Sequence, residues 1–81
     1  MYFVYVLQSL KDNRYYIGFT SDIEARLAYH NSGRQRSTKH RIPFKLVYYE
    51  EFEDKSEALR REKVIKGYKG GNAFRNLING V

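Results

Sequence analysis

Five polar side chains in this sequence have the types and spacing that hydrolysis of a phosphodiester needs. Tyr5 and Tyr16 lie in two aromatic stretches, YFVYVLQ and YYIGFT, which a short polar turn separates. Arg26 and His30 are four residues apart, so a helix would place both on one side. Arginine can bind a phosphate through two hydrogen bonds, and histidine can move a proton near neutral pH. A phenol can bind a phosphate, or act as a base where cations lower its pKa.

Glu62 completes the set and is the least expected of the five. At about 100° per residue, Ala58, Glu62 and Ile65 share one helix stripe, with Leu59 beside it. A carboxylate on a buried face costs free energy unless a cation or donor meets it. As a ligand it suits Mg²⁺, which takes one or two protein carboxylates and keeps several waters. A salt bridge to a neighbouring arginine, or an edge position that reaches solvent, would explain Glu62 without any function.

The other candidates also have structural explanations. Most strand tyrosines are core residues whose hydroxyl has a partner, which would account for Tyr5 and Tyr16. Arg26 and His30 could lie on a solvated helix face, where the helix dipole favours a histidine near the carboxyl end. What favours chemistry is their joint placement, since a hairpin brings both phenols near one sheet surface that the helix could cover.

Periodicity and capping signals predict the elements that would hold these side chains. In chain order the pattern predicts strands at 2–8 and 15–20, a helix from a Ser21 cap to about Ser32, a basic loop at 34–43, a strand at 44–50, a helix from an Asp54 cap to about Lys66, and a short helix at 72–79. Gly18 lies mid-strand, which indicates a bulge or the close approach of another group. The order predicts one small α+β domain, residues 1–81, with a mainly antiparallel sheet.

The charge of the chain is segregated. The net charge is +6, yet no acidic residue occurs from Ala25 to Tyr49. Two basic blocks stand out: Arg26, Arg34, Arg36, Lys39, Arg41 and Lys45, then Arg60, Arg61, Lys63, Lys66, Lys69 and Arg75. Segregated positive charge favours a polyanionic partner, most often nucleic acid. Solubility alone is the simpler explanation.

Length and composition exclude several classes. A chain of 81 residues without cysteine has one modest core, no disulfide and no thiolate zinc site. No run approaches the ~20 apolar residues of a membrane span, and the first residues lack the pattern of a signal peptide. We therefore expect a cytoplasmic protein that does not enter a membrane.

Three blocks, in order and at compatible spacing, resemble the GIY-YIG endonucleases. Phe3-Val4-Tyr5 and Tyr16-Ile17-Gly18 resemble the two signature strands, with Phe and Val where the family name has Gly and Ile. The following segment from Gly18 to Gly33 and the segment 56–66 around Glu62 are similar to the next two blocks. The resemblance covers nearly the whole chain, as in stand-alone single-domain members.

This resemblance implies a small three-stranded antiparallel sheet flanked by helices and Mg²⁺- or Mn²⁺-dependent hydrolysis of DNA. Glu62 would hold the metal and Arg26 would stabilise phosphate charge. Tyr5 and Tyr16 would position or deprotonate the attacking water, and His30 would assist proton transfer. The basic loop would bind the DNA through Arg34, Arg36, Lys39 and Arg41, and Asn72 would match a polar residue often seen near the end of the domain. Branched, nicked or flexible-ended DNA is the expected substrate, in repair or recombination.

Two other functions fit the same residues. A non-catalytic nucleic-acid-binding module on this fold would bind DNA with a steep dependence on salt and would not cleave it. A protein-binding adaptor that uses exposed aromatic side chains would have no affinity for DNA at low salt.

Overall fold

The computed structural model of the protein describes residues 1–80 and has an α+β fold, as expected. Its elements in chain order are β1 (Tyr2–Ser9), β2 (Tyr15–Thr20), α1 (Ile23–Asn31), a short 3₁₀ helix (Lys39–Arg41), β3 (Phe44–Phe52), α2 (Lys55–Gly67) and α3 (Asn72–Asn79). The strands form one antiparallel sheet in the order β2-β1-β3. No helix within residues 1–80 is long and apolar enough to cross a bilayer.

The register of the hairpin decides which side chains meet. Tyr5 pairs with Gly18 and Leu7 pairs with Tyr16, so these four residues lie on one face of the sheet. The alternate positions, including Ile17, lie on the opposite face. Tyr16 is two residues from Gly18, the partner of Tyr5, and Tyr5 is two residues from Leu7, the partner of Tyr16. The two candidate tyrosines therefore share a surface.

Each face of the sheet has its own core. On the tyrosine face, Tyr5, Leu7 and Phe44 are buried, and Leu27 of α1 packs against them. The opposite face holds the larger core of Val4, Val6, Ala58, Ile65 and Phe74, which α2 and α3 cover. The central strand β1 is thus buried on both sides, and this explains its almost unbroken apolar sequence.

Several elements depart from the prediction, and β1 ends at Ser9 rather than at residue 8. The cap of α1 is Asp22, whose carboxylate accepts from the Ala25 amide at 3.1 Å, so the Ser21 cap was wrong by one residue. Strand β3 reaches Phe52, beyond the predicted end at residue 50. The basic loop contains a turn of 3₁₀ helix and a cis Ile42–Pro43 peptide bond. The Asp54 cap of α2 and the bounds of α3 are confirmed.

An ion pair holds α2 against β3. Arg61 donates two hydrogen bonds to Glu50, at 2.9 and 3.0 Å, and the Tyr48 hydroxyl donates a third to the same carboxylate. Burial alone would raise the pKa of Glu50, but the hydrogen bonds from Arg61 and Tyr48 outweigh it and lower that pKa below its ordinary value. The pair helps fix the helix that carries Glu62.

We expect Glu50→Gln to lower the free energy of unfolding by about 1–2 kcal/mol at pH 7, because it removes the charge that Arg61 and Tyr48 meet. A lowered folded-state pKa stabilises the protein above the unfolded-state pKa, and this stabilisation is lost as the pH falls through the folded-state value. The gap between wild type and variant should therefore shrink as denaturation is measured at increasingly acid pH. Glu51→Gln, at an exposed neighbouring position, is the control. A difference in free energy of unfolding that does not change with pH would contradict the stabilising role of the Glu50 charge.

Candidate active site

Tyr5 lies across the hairpin, with its ring above Gly18 of the neighbouring strand. Only 3% of the residue is exposed. A Cβ added at Gly18 would overlap the Tyr5 hydroxyl and stand 2.6 Å from its Cζ. The close approach predicted at this glycine is therefore that of Tyr5 itself.

A buried histidine holds the Tyr5 hydroxyl. His30 is 1% exposed, with Nε2 at 3.1 Å from the Tyr5 hydroxyl and Nδ1 at 3.2 Å from Oγ1 of Thr38, itself 1% exposed. Burial, with the nearby charge of Arg26, lowers the pKa of His30. The ring is therefore neutral at pH 7, with one nitrogen as donor and the other as acceptor. His30 thus joins two hydroxyls in a chain of hydrogen bonds, Thr38–His30–Tyr5.

Tyr5 is a protonated phenol at neutral pH. Burial is the main cause that raises its pKa, and Tyr16 adds to the rise. The charge of Arg26 lowers the same pKa, while that of Glu62 raises it. The condition under which a phenol acts as a base, a pKa lowered by cations, is not met at Tyr5, because burial outweighs the charge of Arg26. The charges of Arg26 and Glu62 nevertheless both affect the pKa of Tyr5.

Tyr16 is the more accessible of the two tyrosines. It is half-buried, and its ring centroid lies 6.4 Å from that of Tyr5 and 4.7 Å from that of His30. Its hydroxyl accepts a hydrogen bond from the side-chain amide of Gln35 at 3.3 Å. Tyr5, Tyr16 and His30 form one aromatic cluster, and Tyr16 is the member that a ligand can reach most easily.

Arg26 is a cation beside this cluster. It is half-buried, and its guanidinium lies 5.4 Å from the centre of the Tyr29 ring. It lines an open concavity of about 300 Å³ together with Thr20 and Ala25. None of the ion pairs formed within residues 1–80 involves Arg26. A half-buried guanidinium that faces a concavity and has no carboxylate partner among residues 1–80 is well placed to bind a phosphate.

Glu62 projects from α2, on the other side of the sheet from α1. Its side chain is 18% exposed, and a carboxylate oxygen lies 3.3 Å from Nζ of Lys66. Ala58 and Ile65 are buried, as their shared stripe predicted, whereas Leu59 is 41% exposed. Glu62 is therefore an edge residue of the buried face whose cation partner is a lysine rather than an arginine.

A divalent metal bound here would depend on Glu62. Residues 1–80 contain no group of three or more His, Asp or Glu side chains that could enclose an ion. A single carboxylate fits Mg²⁺ or Mn²⁺, since Mg²⁺ sites commonly use one or two carboxylates and complete the shell with water and substrate phosphate. The Glu62 carboxylate thus fits such an ion only together with a phosphate-bearing ligand. The salt bridge between Lys66 and Glu62 would have to break first.

The predicted DNA-binding residues divide into two groups. Arg34, Arg36 and Lys39 are exposed on the loop after α1 and join no ion pair within the described chain. Arg41 differs, because its guanidinium donates to Asp12 at 3.0 Å and to the Tyr15 carbonyl at 3.3 Å. Arg41 therefore braces the hairpin turn against the loop. Asn72 is exposed where α3 begins.

Sequence patterns did not indicate two residues that contribute to the site. Thr38 and Gln35 lie in the basic loop, for which the sequence predicted a role only for the charged residues. In the structure, Thr38 is hydrogen-bonded to His30, and Gln35 is hydrogen-bonded to Tyr16. Gln35 is 19 residues from its partner along the chain. No local pattern indicates such a contact, since it depends on how the loop folds back over the helix.

The fold and the site define a class of protein. Residues 1–74 match the family described as the GIY-YIG catalytic domain, and the chain belongs to this family.

Its relatives are also small. The chain is 48% identical to a UPF0213 protein of Staphylococcus haemolyticus, over 83% of this chain and 82% of the relative. It is 44% identical to one from Streptococcus pneumoniae, over 95% and 86%. The solution NMR structure of a UPF0213 protein from Bacillus halodurans aligns with a TM-score of 0.49 at 34% identity, over 91% and 92% of the two chains. The family match and the relatives from Staphylococcus haemolyticus and Streptococcus pneumoniae confirm the resemblance to stand-alone GIY-YIG proteins.

We expect Gly18→Ala to destabilise the protein by about 1–3 kcal/mol, because the new methyl group forces the Tyr5 ring off its site. Chemical denaturation measures the cost, and the ring proton resonances of His30 report loss of the Tyr5 contact. Gly67→Ala is the control, since a Cβ there meets nothing within 4 Å. The cost should be smaller in a Tyr5→Leu background. An equal cost in both backgrounds would show that Gly18 does not accommodate Tyr5.

Proposed function

We propose that the protein is a divalent-metal-dependent endonuclease that hydrolyses phosphodiester bonds of branched, nicked or flexible-ended DNA, in repair or recombination. One observation carries the proposal: the Tyr5 hydroxyl is bound to the buried ring of His30, whose centroid also lies 4.7 Å from that of Tyr16. A structural tyrosine needs one hydrogen-bond partner, whereas the pKa of this one also responds to the charges of Arg26 and Glu62.

Arg26 binds the phosphate at the bond to be cleaved. Its guanidinium donates to the non-bridging oxygens and stabilises the charge that grows on them as water attacks phosphorus. Because Arg26 has no carboxylate partner within residues 1–80, it reaches the phosphate without first breaking an ion pair. Its half-buried position strengthens the attraction, since less water screens it.

Tyr5 and Tyr16 orient the attacking water, and His30 serves Tyr5. As the water attacks phosphorus, Tyr5 accepts a proton from it and passes its own proton to Nε2 of His30. The phenol therefore never remains ionised, which is compatible with its raised pKa. A new phosphorus–oxygen bond forms while the bond to the leaving deoxyribose oxygen breaks, and that oxygen takes up a proton from solvent water. His30 acts through Tyr5, whose hydroxyl its Nε2 contacts, and is a positioning and proton-holding residue.

Glu62 is the residue that would hold the metal. Nucleases of the GIY-YIG family generally depend on a divalent ion. When bound, such an ion would neutralise phosphate charge and act as a Lewis acid. Mg²⁺ and Mn²⁺ both suit a single carboxylate supplemented by water and phosphate.

The exposed cations support selectivity for DNA structure. Arg34, Arg36 and Lys39 offer charge to the sugar–phosphate backbone, and backbone contacts carry no sequence information. Binding would therefore depend on the shape and flexibility of the DNA.

A non-catalytic DNA-binding module is the second candidate, favoured by the same three exposed cations. Such a module would bind the DNA panel with a steep dependence on salt and leave it intact in both Mg²⁺ and Mn²⁺. One cleavage assay therefore separates the two functions.

We expect wild-type protein to nick branched DNA in Mn²⁺ or Mg²⁺, and Glu62→Gln and Arg26→Gln each to slow cleavage by about 10²-fold or more. Gel assays under single-turnover conditions measure the rate, with DNA binding measured in EDTA. Glu57→Gln and Arg60→Gln, at exposed positions of α2, are the matched controls. Metal-dependent cleavage that survives both test substitutions would overturn the assignment of the site.

A further inference from the structure

A second concavity lies on the face of the sheet opposite Tyr5. It has a volume of about 420 Å³ and opens between the hairpin turn, β2 and the connection from α2 to α3. Ile17 and Phe74 supply apolar lining, and Tyr15 forms an aromatic wall. We call this the Tyr15 pocket. None of the five candidate catalytic residues lines it.

Tyr15 is held in place but remains accessible. Its ring meets that of Phe74 edge-on, with centroids 4.9 Å apart and planes at 69°. Its carbonyl accepts from Arg41, which ties the main chain to the loop. Even so, 41% of Tyr15 is exposed. A large exposed aromatic ring with a fixed orientation provides a surface on which a planar group can stack.

The rim of the pocket is positively charged. Arg14, Lys66 and Lys69 line it, and no acidic residue does. Arg14 and Lys69 are exposed and form no ion pair in the part of the chain that the structure describes. An aromatic platform beside free cations is the combination that binds a single-stranded nucleotide, since the ring stacks the base and the cations bind the phosphate.

Lys66 connects the pocket to Glu62. Lys66 lies on the rim of the pocket and also pairs with Glu62 one helical turn earlier, at 3.3 Å. A nucleotide in the Tyr15 pocket would thus place its neighbour in the strand near the Glu62 carboxylate.

We propose that the Tyr15 pocket binds one unpaired nucleotide of the DNA next to the phosphodiester that is cleaved, with its base stacked on Tyr15 and its phosphate bound by Arg14 and Lys69. This inference rests on the proposed function and deepens it. A base within a duplex is stacked on both sides and is not free to enter. The pocket therefore supplies a physical reason for selecting branched or nicked DNA.

The test compares two labelled DNA duplexes that differ only in one unpaired nucleotide at a branch, with 2-aminopurine as that base. Affinity is measured in EDTA by fluorescence anisotropy. Wild type should bind the DNA with the unpaired base about 5- to 100-fold more tightly and quench the 2-aminopurine fluorescence. Tyr15→Leu should lose both the preference and the quenching, whereas Tyr15→Phe should keep them. Thermal denaturation of each variant confirms that it is folded.

A matched pair of variants tests the charged rim of the Tyr15 pocket. Lys69→Gln should weaken binding of the DNA with the unpaired base more than that of the paired DNA, whereas Arg60→Gln, an exposed cation outside the pocket, should affect both alike. Equal affinity of wild type for the two DNAs, or a preference that survives Tyr15→Leu, would overturn the proposal. Tyr15 resonances that shift with an acidic peptide but not with the unpaired nucleotide would assign the pocket to a protein partner instead.

The result for the Tyr15 pocket can be distinguished from the result for the proposed endonuclease activity. Stacking on Tyr15 without cleavage in Mn²⁺ would refute the endonuclease and leave the pocket intact. Cleavage without any contribution from Tyr15 to affinity or quenching would refute the pocket and leave the endonuclease.

Discussion

The packing of Tyr5 over Gly18, with its hydroxyl bound to His30, is the contact on which the candidate site depends. The ring can cross to the neighbouring strand only because Gly18 lacks a Cβ. The crossing brings the hydroxyl to a histidine that is buried and therefore neutral. A polar chain from Thr38 to Tyr5 in an otherwise apolar layer is tolerated because each member has a partner.

The other candidate residues reach this centre from both layers of the fold. Helix α1 supplies Arg26 from the tyrosine face, and α2 supplies Glu62 from the opposite layer, yet both charges act on Tyr5. Because β1 is buried on both faces, neither helix can shift far without exposing core. The ion pair between Glu50 and Arg61 adds a polar tie on α2. A sheet of three strands thus supports two helices whose opposite charges both affect the pKa of one phenol.

Local signals in the sequence predicted most of the elements, since aromatic strands, capping residues and glycines act over a few positions. The bounds of α3 were correct, and the cap of α1 was misplaced because Ser21 and Asp22 are both good caps. The joint placement of Tyr5 and Tyr16 also followed from strand alternation. Features that depend on tertiary folding were not predictable from the sequence. These are the burial that raises the pKa of Tyr5, the hydrogen bond between Thr38 and His30, and the ion pair between Arg41 and Asp12.

The most direct test of the central claim is the rate at which Tyr5→Phe cleaves branched DNA in Mn²⁺, under conditions where wild type cleaves. Phenylalanine keeps the ring over Gly18 and removes only the hydroxyl that His30 binds. We expect cleavage to slow by about 10²-fold or more, with DNA affinity in EDTA and the unfolding temperature close to those of wild type. A Tyr5→Phe variant that cleaves at the wild-type rate would contradict the role of this hydroxyl and the site built around it.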